Sequence, residues 1–292
     1  MNIYMVGYAS DLGASTQGTA KGPEILKQSK YLEILNQYDI QLHWEKIVRP
    51  EVSGEPKAKL IQKICKELGD EIIQKVNQNE FFTVIGGDHS CAIGTWSAAA
   101  YAKHKQGDIG LIWIDAHMDS HTFVTSETGN IHGMPLASLL GEGEPDFTEM
   151  FFSQKKIKPQ NICLIGIRSF EKGELELLKR LNVKIYYMQE IQERSLKVIM
   201  QEAIRQVSEN TIGFGVSIDI DSLDPKEAPG TGCREPNGLS SVELCDALTL
   251  LAKESKFFGA EIAEFDPQRD KEHITEKLIS RLMAAFTLGK II

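Results

Sequence analysis

Apolar residues in this chain come in short dense runs, separated by longer stretches in which they recur every three or four positions. The dense runs predict strands over residues 2–8, 40–48, 81–86, 109–115, 161–167, 183–187, 212–219 and 257–263. Between them, 56–79 (KAKLIQKICKELGDEIIQKVNQNE) has helical spacing with Lys and Glu on the opposite face. The same pattern predicts helices over 89–104, 171–181, 195–209, 240–255 and 273–287. Strands rich in Ile and Val that alternate with helices indicate an α/β fold, a parallel sheet covered on both faces. No Pro- or Ser-rich linker, repeat or low-complexity stretch interrupts the pattern, so residues 1–292 are expected to form a single domain.

Composition narrows the function classes. Apolar content of 42% and charged content of 25% are those of an ordinary globular protein. No run of about 18 apolar residues is present, so no membrane partner is expected. The start, MNIYMVGYAS, reads as a strand and lacks the features of a signal peptide. A net charge of −9 disfavours nucleic acid as a partner. The five cysteines, Cys65, Cys91, Cys163, Cys233 and Cys245, are scattered and include no CxxC pair, which suggests reduced thiols and a cytoplasmic location.

In open α/β sheets, ligands bind beyond the carboxyl ends of the strands. Four predicted strand ends here carry acids or imidazoles. They are GGDHS with His89, then Asp115, His117 and Asp119, then Asp219 and Asp221, and finally Glu264. If the backbone stays extended, residues two apart share a side, so Asp115, His117 and Asp119 converge, as do Asp219 and Asp221. One such motif alone reads equally as a turn or a helix cap. Several together on one rim would repel each other unless a cation joined them. Four carboxylates and two imidazoles suit Mn²⁺ or a similar ion better than structural Zn²⁺. Four negative charges match two divalent ions, and paired ions are a known device for generating a bridging hydroxide near neutral pH.

With these motifs the sequence resembles the arginase/agmatinase (ureohydrolase) family. The matching segments are GGDHS (86–90), DAHMD (115–119), SIDIDSLDP (217–225) with APGTG (228–232), and EIAEFDP (261–267), all in family order. The start GYASDLGASTQGTAKGPEIL also fits, and TGNIHGMP (128–135) is similar to the arginase branch. The resemblance implies an eight-stranded parallel sheet flanked by helices and two Mn²⁺ ions, replaceable by Co²⁺ or another divalent ion. It implies that His89, Asp115, Asp119 and Asp219 hold one ion and that His117, Asp115, Asp219 and Asp221 hold the other. Asp115 and Asp219 would bridge. The implied activity is hydrolysis of a small guanidino substrate, L-arginine giving L-ornithine and urea through the bridging hydroxide. Asp119 would handle the proton of that hydroxide, Glu264 would pair with the guanidinium, and His132 would shuttle protons. A homo-oligomer, trimer or hexamer, is also implied.

The departures from the family lie where the far end of the substrate would be read. The aligned positions are His121, Ser126, Thr128, Asn130 and Glu171. Asn130 is retained, Ser126 and Thr128 keep a hydroxyl, and Glu171 lengthens an acid by one methylene. His121 is the real change, either a carboxylate contact or a loop residue. Cys233 and Arg234 follow GTG where Thr-Pro is usual. Cys233 reads as a tolerated small residue rather than a nucleophile, and Arg234 as a solvated cation or a contact for a substrate carboxylate. These changes leave agmatine, a guanidino acid or formiminoglutamate as alternative substrates. A metal-binding regulator without catalysis would be expected to have damaged ligand positions, and none is damaged. A two-metal phosphatase would want a Lys or Arg cluster at the site, and the motifs bring none.

Overall fold

The computed structural model describes residues 1–51 and 53–291. All eight strands join one parallel sheet: β1 (Asn2–Tyr8), β2 (Gln41–Val48), β3 (Phe82–Gly86), β4 (Ile109–Ile114), β5 (Ile162–Ile167), β6 (Lys184–Tyr187), β7 (Gly213–Asp219) and β8 (Phe257–Ala263). Their spatial order is β2-β1-β3-β8-β7-β4-β5-β6. The longer helices are α1 (Lys57–Asn77), α2 (Cys91–Lys103), α3 (Lys172–Arg180), α4 (Leu196–Glu209), α5 (Ser241–Leu248) and α6 (Ile274–Leu288).

Alternation along each strand feeds two cores. On β4, Ile112 and Ile114 face the layer of α4, α5 and α6, while Leu111 and Trp113 face the layer of α1 and α2. Strands β4, β5 and β7 are buried along their whole length, which is why their sequences are almost continuously apolar. The edge strand β2 departs from the expected uniform pattern. It has one protected face, so Gln41, His43 and Glu45 point outward. On β7 the side toward α2 carries Gly213, Gly215 and Ser217 ahead of Asp219 at the strand end. A methyl group on Gly215 would lie 2.1 Å from the ring of Trp96, so small residues there let α2 and His89 approach the sheet.

Boundaries match the sequence reading closely except in two respects. The helix expected over 240–255 ends at Leu248 and resumes as a short 3₁₀ turn, Leu251–Lys253. There the Thr249 hydroxyl donates back to Asp246 O at 2.6 Å. Short helices at Gly22–Lys27, Lys30–Glu33, Pro135–Leu139, Pro145–Thr148 and Met188–Arg194 were not expected. At four to seven residues they are too short to show a period, and Pro in the first turn is the one local signal of three of them.

Candidate metal centre and its cavity

The four central strands in the spatial order, β3, β8, β7 and β4, are the ones whose carboxyl ends carry the predicted acids and imidazoles. Register aligns them: Ile114 pairs with Ile218 and Asp219 with Ala263, so Asp115, Asp219 and Glu264 emerge side by side. The tight GGDHS turn places His89 above them. It is held by the Asp88 N–H, which donates to Ser10 O at 2.9 Å, and by the Glu264 N–H, which donates to Gly87 O at 2.8 Å.

Two groups of donors form. In the first, His89 Nδ1 lies 3.3 Å from Asp115 Oδ2, 3.1 Å from Asp119 Oδ2 and 3.1 Å from Asp219 Oδ2. In the second, His117 Nδ1 lies 3.1 Å from Asp221 Oδ2 and 3.5 Å from Asp115 Oδ1. Asp115 thus gives one oxygen to each group. Asp219 belongs to the first group alone, and its Oδ1 accepts the Asp221 backbone N–H at 2.8 Å.

The expected convergence occurs, but not by strand alternation. β4 ends at Ile114, and Asp119 has a left-handed backbone with φ of 44°. That turn sends Asp119 to the first group while His117 joins the second. Likewise β7 ends at Asp219 and a 3₁₀ turn carries Asp221 to the other group. Left-handed non-glycine residues cost about 1–3 kcal/mol and persist where surrounding structure over-determines them. Glu264, with φ of 64°, is a second such residue at this rim.

The electrostatics favour a cation at each group. Burial raises the pKa of Asp119 to about 7, with the Asp115 charge adding to it. Burial, then Asp221 and Asp115, push Asp219 well above the usual carboxylate range. His89 is fully buried; burial opposes its charging, but contacts with three carboxylates outweigh this and hold its pKa well above 6.5. His89 Nδ1 nevertheless makes no hydrogen bond of acceptable geometry, despite three oxygens within 3.3 Å. Donors aimed at a common centre look like this; ligands about 2.1 Å from one ion would stand roughly 3.0–3.5 Å apart. The residues therefore fit a pair of divalent ions.

A cavity of about 290 Å³ opens over this floor. His117, Asp119, Asp219 and Asp221 line its base; His121, Ser126, Thr128, Asn130, Glu171 and His132 line its walls. Every residue expected to read the substrate's far end is therefore on the wall. His89 and Asp115 lie beneath. Glu264 stands behind His132, its Oε1 accepting from His132 Nδ1 at 3.0 Å and from the His89 N–H at 2.8 Å. His121 is tied on both ring nitrogens. Nδ1 meets Thr125 Oγ1 at 3.1 Å, and Nε2 faces Glu171 at 3.1 Å and Glu174 at 3.4 Å.

Cys233 also lines the cavity, and burial followed by the Glu264 charge pushes its thiol up to about 12, which leaves no thiolate for nucleophilic attack. Arg234 turns away and donates to the backbone carbonyl of Pro229. Sequence reasoning missed Glu174, which accepts the Ser120 and Glu171 N–H groups at 3.1 and 2.9 Å. Its one signal was a Glu three residues beyond the cap residue Glu171. It also missed Arg168, whose guanidinium donates to the carbonyls of Asp221, Ser222, Glu235 and Pro236 at 2.7, 3.1, 2.9 and 3.1 Å. No local pattern marks that residue.

Comparison with known proteins agrees with this geometry. Residues 1–289 match the Arginase family. The arginase of Bacillus caldovelox is 36% identical over 292 residues, which cover 97% of each chain. The crystal structure of arginase from Bacillus subtilis superposes with a TM-score of 0.91 at 30% identity, covering 100% of both chains. Formimidoylglutamase from Bacillus subtilis shares the fold, with a TM-score of 0.81 at 23% identity over 99% of this chain and 86% of that one.

Proposed function

The chain belongs to the arginase family, and from that membership and the site geometry we infer a metal-dependent hydrolase that cleaves L-arginine to L-ornithine and urea. The observation that carries this reading is the convergence of His89 Nδ1 with oxygens of Asp115, Asp119 and Asp219 beside a second group that shares Asp115. In this reading His89, Asp115, Asp119 and Asp219 hold one ion. His117, Asp115 and Asp221 would hold the other, and the family resemblance adds Asp219 to that set. The set of four carboxylates and two imidazoles favours manganese, with cobalt or another divalent ion as a substitute. Such a pair would supply a water acidic enough to attack near neutral pH.

The protein's own groups do the rest. A guanidinium carbon is a poor electrophile, because its charge is spread over three nitrogens. Glu264 has Oε2 left to pair with that guanidinium and hold its carbon in line, since Oε1 is already engaged. Asp119, on the cavity floor, accepts the proton of the attacking water and returns it to the departing nitrogen. His132, on the cavity wall, passes protons between that nitrogen and solvent. The C–N bond breaks and the oxygen of water enters urea. Two protons, one through Asp119 and one through His132, end on the leaving nitrogen, which departs as the ammonium of ornithine. At the outer end His121, Ser126, Thr128, Asn130 and Glu171 meet the amino-acid portion.

All five cysteines are free thiols, four of them buried, which supports a reducing compartment such as the cytoplasm. No helix among the described residues is long and apolar enough to cross a membrane. Assembly as a homo-oligomer rests on the family resemblance.

The test is a substrate panel. Manganese-loaded protein is given arginine, agmatine, a guanidino acid and formiminoglutamate under identical conditions. The reading predicts the highest kcat/KM for arginine. A clear preference for any of the others would move the specificity elsewhere in the family.

A further inference from the structure

His117 turns one ring nitrogen inward and the other outward. Nδ1 faces Asp221 and Asp115, while Nε2 faces Glu235 Oε1 at 3.6 Å. His89 repeats the arrangement. Its Nε2 lies 2.9 Å from Ser217 Oγ, which donates in turn to Glu261 Oε1 at 2.7 Å. Each imidazole of the two groups thus has an oxygen behind it, at hydrogen-bond distance for His89 and, for His117, a carboxylate at ion-pair distance, just beyond hydrogen-bond length. Histidines that ligate metals commonly donate their other N–H to such a group, which fixes tautomer and ring orientation.

The segment carrying Glu235 is built to hold that carboxylate in place. Arg168 Nη2 donates to Asp221 O at 2.7 Å and to Glu235 O at 2.9 Å, so one guanidinium clasps the backbone in front of His117 and the backbone behind it. Arg168 Nε also donates to Pro236 O at 3.1 Å. The Asn237 N–H donates to Asp224 Oδ2 at 3.1 Å, and Leu239 pairs with Leu223. Glu235 does not line the cavity, and it faces the ring nitrogen of His117 opposite the one turned to Asp115 and Asp221.

We propose that Glu235 is a positioning residue for His117: by accepting the outer ring N–H, it keeps Nδ1 free and aimed at Asp115 and Asp221, and so strengthens the second metal position. Arg168 is the clamp that keeps Glu235 and Asp221 on opposite sides of the same ring. The inference rests on the binuclear reading above.

The experiment strips the full chain of metal with a chelator and reloads it with Mn²⁺ at graded free concentrations, counting ions bound per chain. Two ions bound by the parent protein uphold the binuclear reading, and a single ion would sink that reading rather than this one. Glu235→Ala is expected to fill its first position as the parent does and to need about 10- to 100-fold more free Mn²⁺ for its second. Glu235→Gln, whose amide oxygen still accepts, stays close to the parent. In a His117→Ala background, Glu235→Ala changes nothing further. Glu235 is about a third exposed, so melting of metal-free Glu235→Ala should match the parent, separating a positioning loss from a folding loss. Filling of both positions by Glu235→Ala at the parent's concentrations would overturn the proposal.

Discussion

His132 Nδ1 stands 3.0 Å from Glu264 Oε1, and that same oxygen accepts the backbone N–H of His89 at 2.8 Å. One carboxylate therefore joins the imidazole assigned to proton movement to the turn that carries a metal-group histidine.

That relationship fixes a titration. Burial opposes charging of His132, but the Glu264 hydrogen bond and charge, with Asp119 and Asp88, outweigh it and raise the pKa from 6.5 to about 9. A raised histidine contributes stability that is fully present below about pH 6.5 and is lost as pH rises through about 9. The contribution is on the order of 3 kcal/mol at most. In metal-free protein, NMR should show His132 titrating near 9, and Glu264→Gln should bring it to or below its ordinary value. The stability gap between parent and variant should shrink across that window. Titration of the parent near 6.5 would contradict the pairing.

Gly87 is a packing constraint on the same turn. A methyl group there would lie 2.0 Å from the Ser10 carbonyl oxygen, a backbone atom that also accepts the Asp88 N–H. Gly87→Ala is expected to cost at least about 2 kcal/mol. Melting should fall by roughly 4–8 °C, at about 2–4 °C per kcal/mol for a chain of this size. Displacement of His89 should weaken uptake of the first ion. An unchanged melting curve would show that the turn can shift freely.

Metal and carboxylate effects should have opposite signs. Burial with Asp221 and Asp115 disfavours the charged form of Asp219, so Asp219→Asn should raise the melting temperature of metal-free protein. Adding Mn²⁺ at about 100 times its dissociation constant should stabilise the parent by roughly 2.7 kcal/mol. The variant should lose most of that increment. Calorimetry with and without a chelator measures both, and a parent indifferent to the ion would count against the metal centre.

His121 lines the cavity, and the proposed function gives it a part in substrate specificity. Its ring is held by Thr125, Glu171 and Glu174, and removing it frees Glu171 to move. His121→Ala should raise KM for arginine about tenfold while changing kcat little, the signature of lost binding away from the reacting carbon. Steady-state kinetics separates the two, and a fall in kcat at unchanged KM would place His121 in the chemistry instead.

These predictions draw unevenly on sequence and structure. The eight strands were legible because burial on both faces leaves an apolar run, and the donors because they follow those runs directly. The route of convergence was not. Asp119 reaches His89 through a left-handed residue, and nothing in the order of Asp115, His117 and Asp119 reveals that turn. Arg168, Glu235 and Glu261 were invisible for a different reason. Each is a single charged residue whose partners lie on other strands or loops, so its role exists only once β4, β5, β7 and β8 are side by side. His121 was legible as a departure, but its two glutamate neighbours were not.

The central claim is that this chain adds water to the guanidinium carbon of arginine and expels the amine. Manganese-loaded protein incubated with L-arginine in ¹⁸O-labelled water tests it directly, with mass spectrometry of both products. One labelled oxygen in each urea, with unlabelled ornithine formed in equal amount, is the predicted result. Labelled citrulline with ammonia, or no urea at all, would contradict it.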